Sequence, residues 1–113
     1  MSNAANQCIS ETLGDYVLVR LKGEVDLSWS QQVRRAILDA LGGGAKVGVE
    51  LSEVSYIDSS GIAALVEGFQ NARSKGRQFG LVAASNAVMS VLQLARLDKV
   101  FPLFASIEAA RAA

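Results

Sequence analysis

The 113-residue chain has no histidine, one cysteine (Cys8), one proline and one tryptophan. Without imidazole there is no Ser-His-Asp or Cys-His nucleophile pair, no His-ligated zinc and no imidazole general base. A single thiol makes neither an internal disulfide nor a multi-thiolate metal site; this usage suits a reducing cytoplasm, and Cys8 reads as an incidental small residue. Excess charge is missing too. Eleven Lys and Arg balance eleven Asp and Glu, which removes the broad attraction that non-specific nucleic-acid binding and anionic membranes rely on. The longest uninterrupted hydrophobic run, Ile62 to Val66, falls far short of the roughly 20 residues that cross a bilayer. The expectation is a soluble, cytoplasmic protein with no metal, no cofactor, no nucleic acid and no inserted membrane segment.

What remains is a chain half hydrophobic and 19% charged, enough for one globular core. Met1 to Ala5 carries no basic region and no apolar stretch, so no secretory signal is expected. Ser2-Asn3-Ala4 has the form of an expression-vector remnant. Residues 1–6 are therefore set aside as a disordered terminus, leaving one domain over 7–113.

Alternating Val17, Val19 and Leu21 mark a strand over Tyr16 to Leu21 with one well-buried face, preceded by a hairpin arm near Cys8 to Thr12 and a turn at Gly14-Asp15. Ser28-Trp29-Ser30-Gln31 has the pattern of a capping box, which predicts a helix over about 29–41 that ends in Gly42-Gly43-Gly44. Lys46 to Leu51 predicts the next strand, with Ser52 to Ile57 as a connection ending at Asp58. Ile62, Leu65, Val66 and Phe69 follow at helical spacing, so a second helix starts near Ser59 and stops at Gly76. A strand over Gln78 to Ala84, a helix capped by Ser85 with Val88, Val91, Leu92 and Ala95 inward, a short strand at Val100-Phe101 and a tail helix over Ser106 to Ala112 complete the order. Strands alternating with helices give an α/β fold on a mixed, mostly parallel sheet with about four helices.

Function on such sheets sits at the carboxyl ends of the strands. Those ends are Gly23-Glu24-Val25-Asp26-Leu27-Ser28 and Ile57-Asp58-Ser59-Ser60-Gly61-Ile62. Ser28, Asp58 and Ser59 each read as helix caps, worth about 1 kcal/mol apiece. One cap is needed at the second junction, yet Asp58, Ser59, Ser60 and Gly61 offer three polar groups and a glycine. A hydroxyl in the first helical turn accepts a phosphate without unfolding the helix, because free amides and the dipole favour the anion. Gly61 removes a side chain that would crowd an approach to Ser60. The phosphate would add about −1.5 to −2 charges near Asp58 and Asp26 and repel a partner fitted to the neutral hydroxyl.

Leu21-Lys22-Gly23-Glu24-Val25-Asp26-Leu27, Val49-Glu50-Leu51 and Ile57-Asp58-Ser59-Ser60-Gly61-Ile62 resemble the STAS family, named for sulphate transporters and anti-sigma factor antagonists. The resemblance runs from about Ile9 to Phe104. In the stand-alone bacterial members the second hydroxyl residue of this motif is phosphorylated, which corresponds to Ser60. The resemblance implies partner switching. The unphosphorylated antagonist binds an anti-sigma factor that is itself an ATP-dependent serine kinase, phosphorylation of Ser60 breaks the complex, and a serine phosphatase resets it. ATP and magnesium belong to the kinase. Asp26 matches an acidic position beside the phosphorylation loop that supports kinase recognition. A second branch of the family implies a different role, an assembly subunit on the ATPase of an ABC-type lipid transporter; Ser59 to Glu67 and Leu92 to Leu97 also resemble those subunits.

Other residues carry paired readings. A nucleophilic Ser60 would need a lysine base, and Lys22, Lys46, Lys75 and Lys99 form no Ser-x-x-Lys motif, so no catalytic residue is expected. Trp29, together with Ser28 and Ile62, is a candidate interface residue, with packing over the helix start as the alternative for the indole. Arg34 and Arg35 read as solvated helix residues, or as partners of an anion if they lie beside Ser60. Met89, Leu94 and Leu97 fall off the buried stripe of the third helix and read as packing under the carboxyl-terminal tail or as an exposed apolar edge.

Overall fold

The computed structural model describes residues 6–113; the expectations for residues 1–5 lie outside the described residues. Gly14, at a φ of +68°, turns the chain between β1 (Gln7–Leu13) and β2 (Tyr16–Val25). There follow α1 (Ser30–Gly42), β3 (Lys46–Ile57), α2 (Ser59–Ser74), β4 (Phe79–Val82), α3 (Asn86–Leu94), β5 (Leu103–Phe104) and α4 (Ile107–Ala112). The five strands form one sheet in chain order. β1 is antiparallel to β2 and the other neighbours are parallel, so the architecture is the α/β type that the alternation predicts.

Period-two alternation sorts the strand side chains between two layers. Val19, Leu21, Val47, Val49, Leu51 and Leu81 enter the main core with Val33, Ile37 and Leu41 of α1, Leu65 of α2 and Val88 and Leu92 of α3. Each fully buried aliphatic side chain contributes roughly 1.5–3 kcal/mol. The opposite face of β2 is covered as well. Tyr16 and Leu18 pack with Val82 and Ala110 in a second, smaller cluster beneath α4. The single buried face expected for β2 is thus two, because the tail helix, capped at Ser106 through the amide of Ala109, folds back onto the sheet.

Four strands differ from the sequence reading; β4 spans Phe79–Val82 rather than Gln78 to Ala84, with Ala83 turning the chain at a φ of +52°. β3 continues through Ser52 to Ile57 instead of ending at Leu51, and β2 runs on beside it to Val25. Register shifts near Leu21 and Ser55 absorb the polar residues that hid this pairing. The last strand is Leu103–Phe104 rather than Val100-Phe101; Phe101 turns inward against Phe69 and Phe79 at ring-centroid separations of 5.5 and 6.4 Å. Ala95 is exposed at the carboxyl cap of α3 instead of buried. The long β2–β3 pair matters most, since it sets Val25 against Ile57 and brings the two strand-to-helix junctions together.

Candidate functional site

The second junction is organised by Asp58. Its backbone is extended, and its Oδ1 accepts the amides of Ser60 at 2.9 Å and Gly61 at 3.1 Å and the hydroxyl of Ser60 at 2.5 Å. Asp58 is therefore the N-cap of α2. The Ser60 hydroxyl, above all, holds the Asp58 carboxyl below its ordinary range; partial burial opposes this, and the amides of Gly61, Ser60 and Leu27 reinforce it. Ser59 is exposed and Ser60 half-buried, and no acidic residue occupies the first turn of this 16-residue helix.

Gly61 also answers to the strands beneath it. A Cβ there would lie 2.7 Å from Cγ1 of Ile57 and 2.9 Å from both Cγ1 and the carbonyl oxygen of Val25. The glycine lets the start of α2 rest directly on the ends of β2 and β3, which fixes where Ser60 stands. Ile62, one residue on, is 8% exposed and belongs to the main core.

At the first junction the expected capping box does not form. Trp29 occupies the N-cap position of α1 without a side-chain cap. Ser28 instead donates its hydroxyl at 2.5 Å and its amide at 2.9 Å to Oδ1 of Asp26, while the Asp26 carbonyl accepts the amides of Trp29 and Ser30. A preceding aspartate competes for the serine and wins by proximity. Trp29 is 9% exposed, packs in the main core and donates its indole N–H to the carbonyl of Glu24.

Leu27, between these two groups, was not singled out as a site residue by pattern. It is 74% exposed, and its amide lies close enough to Asp58 to stabilise the carboxylate. An exposed leucine at a strand-to-helix turn is the available sequence signal, but only the adjacency of the junctions gives it meaning. Tyr56, half exposed, pairs with Glu24 on the same sheet end.

From Asp58 and Ser59 an apolar groove of about 520 Å³ runs between α2 and α3, lined by Ile62, Val66, Val91 and Ala95. Arg34 is not free in solvent: its Nε donates to Oε1 of Glu67 at 2.7 Å, joining α1 to α2, raising the pKa of the guanidinium and lowering that of the carboxylate. Arg35 is exposed on the side of α1 that faces β1. Met89 and Leu97 pack on the main core, whereas Leu94 is 88% exposed. Among the described residues no cluster of His, Cys, Asp and Glu could hold a metal, and no helix is long and apolar enough to cross a membrane.

The chain has relatives in both sequence and fold. The anti-sigma-B factor antagonist of Listeria monocytogenes is 24% identical over 96 residues, 84% of each chain. Among solved structures, an anti-sigma factor antagonist from Mycobacterium paratuberculosis superposes with a TM-score of 0.87 at 24% identity, covering 98% of this chain and 95% of that one. The anti-sigma factor antagonist SpoIIAA of Bacillus, in its unphosphorylated form, gives 0.79 at 25% identity over 92% of each. The STAS domain profile matches residues 7–110, a span that holds both junctions and every strand, and the chain belongs to the STAS domain family.

Proposed function

We propose that this chain is an anti-sigma factor antagonist, a regulatory binding protein and not an enzyme, that works as a partner switch at Ser60. Its unphosphorylated form binds an anti-sigma factor with serine kinase activity; phosphorylation of Ser60 releases that partner, and a serine phosphatase restores binding. One observation carries this reading: Ser60 Oγ, in the first turn of α2, spends its proton on the capping carboxylate of Asp58 at 2.5 Å. Transfer of a phosphoryl group to that oxygen removes the donated hydrogen bond and sets two anions side by side, without touching the core that holds the helix. The relatives named anti-sigma factor antagonists favour this reading over the transporter subunit.

Asp58, Ser59 and Gly61 shape the loop, Asp26 and Ser28 form its neighbour, and the partner covers this end of the sheet. Recovery of partners from the native cell, with the mass of the Ser60 peptide read from the same sample, tests the proposal. A soluble ATP-binding serine kinase and one phosphate on Ser60 are expected. An ABC transporter ATPase with unmodified Ser60 would replace the proposal with the subunit role.

A further inference from the structure

At the end of the sheet away from Ser60, the amino ends of the parallel strands border a second cavity of about 270 Å³. Gly80 lines it, and Gly48, its register partner on β3, lies beside Tyr16 of the lining. A Cβ at Gly48 would collide with the hydroxyl of Tyr16, and one at Gly80 would lie 2.5 Å from Cε2 of Phe104. The two rings therefore lie where side chains would otherwise stand, and Phe69, Phe79 and Pro102 continue the apolar wall.

The charged side chains at this cavity are both cationic. Arg73 and Arg77 line it with no acidic side chain, and the terminal carboxylate of Ala113 is the one anionic group in the lining. Arg73 stacks over the Phe69 ring at 5.8 Å and Arg77 donates one Nη1 bond to the carbonyl of Gly44 at 2.9 Å; neither has a carboxylate partner among the described ion pairs. Tyr16, 3% exposed, lines the cavity, and its hydroxyl lies over Gly48. Arg111 approaches the same hydroxyl closely enough to act on it electrostatically. Gln78 donates its side-chain amide to the terminal carboxylate of Ala113 at 3.3 Å.

We propose that this cavity binds a small amphipathic carboxylic acid, its apolar body against Phe79 and Phe104 and its carboxylate on Arg73 and Arg77, with Tyr16 as an additional donor. A pocket with aromatic walls and two planar guanidinium forks at the mouth suits one carboxylate on an apolar body. The site lies at the opposite end of α2 from Ser60 and does not depend on the switch reading.

Backbone amide NMR titration of the full chain with 3-phenylpropionate, 3-phenylpropionamide and inorganic phosphate tests this. The acid is expected to shift the amides of Phe79, Gly80 and Ala110 saturably, and to bind about tenfold more tightly than the neutral amide. Arg73→Gln, a change at an exposed position, should bring the acid close to the affinity of the amide while leaving the amide unchanged. Tyr16→Phe should weaken the acid with the cavity shape kept. Equal binding of acid and amide, phosphate matching the acid, shifts confined to the Ser60 end, or no saturable shift at millimolar acid would each overturn the proposal.

Discussion

Oδ1 of Asp58 accepts the hydroxyl of Ser60 at 2.5 Å and, through the same oxygen, the Ser60 amide at 2.9 Å. The Ser60 hydroxyl and the helix cap thus share one acceptor atom. Ser60→Ala should cost little stability, because Asp58 keeps both amides; the loss of one partly solvated hydrogen bond is on the order of 1 kcal/mol. Chemical denaturation of the two proteins measures it, and a loss several times larger would show that the hydroxyl holds the helix start itself.

Asp58→Ala should destabilise the protein by about 1 kcal/mol at neutral pH, the usual loss for an N-cap. The folded-state pKa of Asp58 lies below its ordinary value, chiefly because of the Ser60 hydroxyl. A depressed carboxylate contributes stability in full above the unfolded-state pKa and loses it as pH falls through the folded-state value. The gap between wild type and Asp58→Ala should therefore be constant above roughly pH 5 and shrink below about pH 4. Urea denaturation along a pH series reads the gap; one that widens in acid would contradict the assignment.

Gly61→Ala places a methyl 2.7 Å from Ile57 and 2.9 Å from the carbonyl of Val25. Overpacking of this kind costs about 1–3 kcal/mol. The variant should show that loss in thermal denaturation, together with amide shifts at Val25 and Asp58. An unchanged melting temperature would mean that α2 shifts off the strand ends freely, and the fixed placement of Ser60 would then be wrong.

Leu27 is 74% exposed beside Asp58. Leu27→Ser should leave stability within about 0.5 kcal/mol of wild type, as for other surface changes, and weaken the anti-sigma factor complex about tenfold, the loss of one apolar anchor. Calorimetric titration of both proteins decides. Unchanged affinity would place the interface away from the first junction.

Much of this was legible in the residues, and what was not has a common physical cause. The cap at Asp58, the turn at Gly14 and the tail helix after Ser106 depend on neighbours a few positions away, and sequence order preserves those. Ser28 was misread although its competitor, Asp26, is only two residues distant, since a serine can satisfy either backbone or carboxylate. The extension of β3 through Ser52 and Ser55 was hidden because long-range pairing with Lys22 and Glu24 supplies its stability. The purpose of Gly61, the burial of Leu18 under α4 and the pairing of Gly48 with Gly80 all require register across strands, which no local pattern encodes.

The central claim is that a phosphate on Ser60 Oγ changes the partner surface and leaves the fold alone. Titration calorimetry of the recovered anti-sigma factor against the unphosphorylated protein and its Ser60-phosphorylated form, with circular dichroism of both, tests it most directly. Juxtaposed like charge costs several kcal/mol, so the phosphorylated form should bind at least about 100-fold more weakly with an unchanged spectrum. Equal affinity of the two forms, or loss of helical signal on phosphorylation, would contradict it.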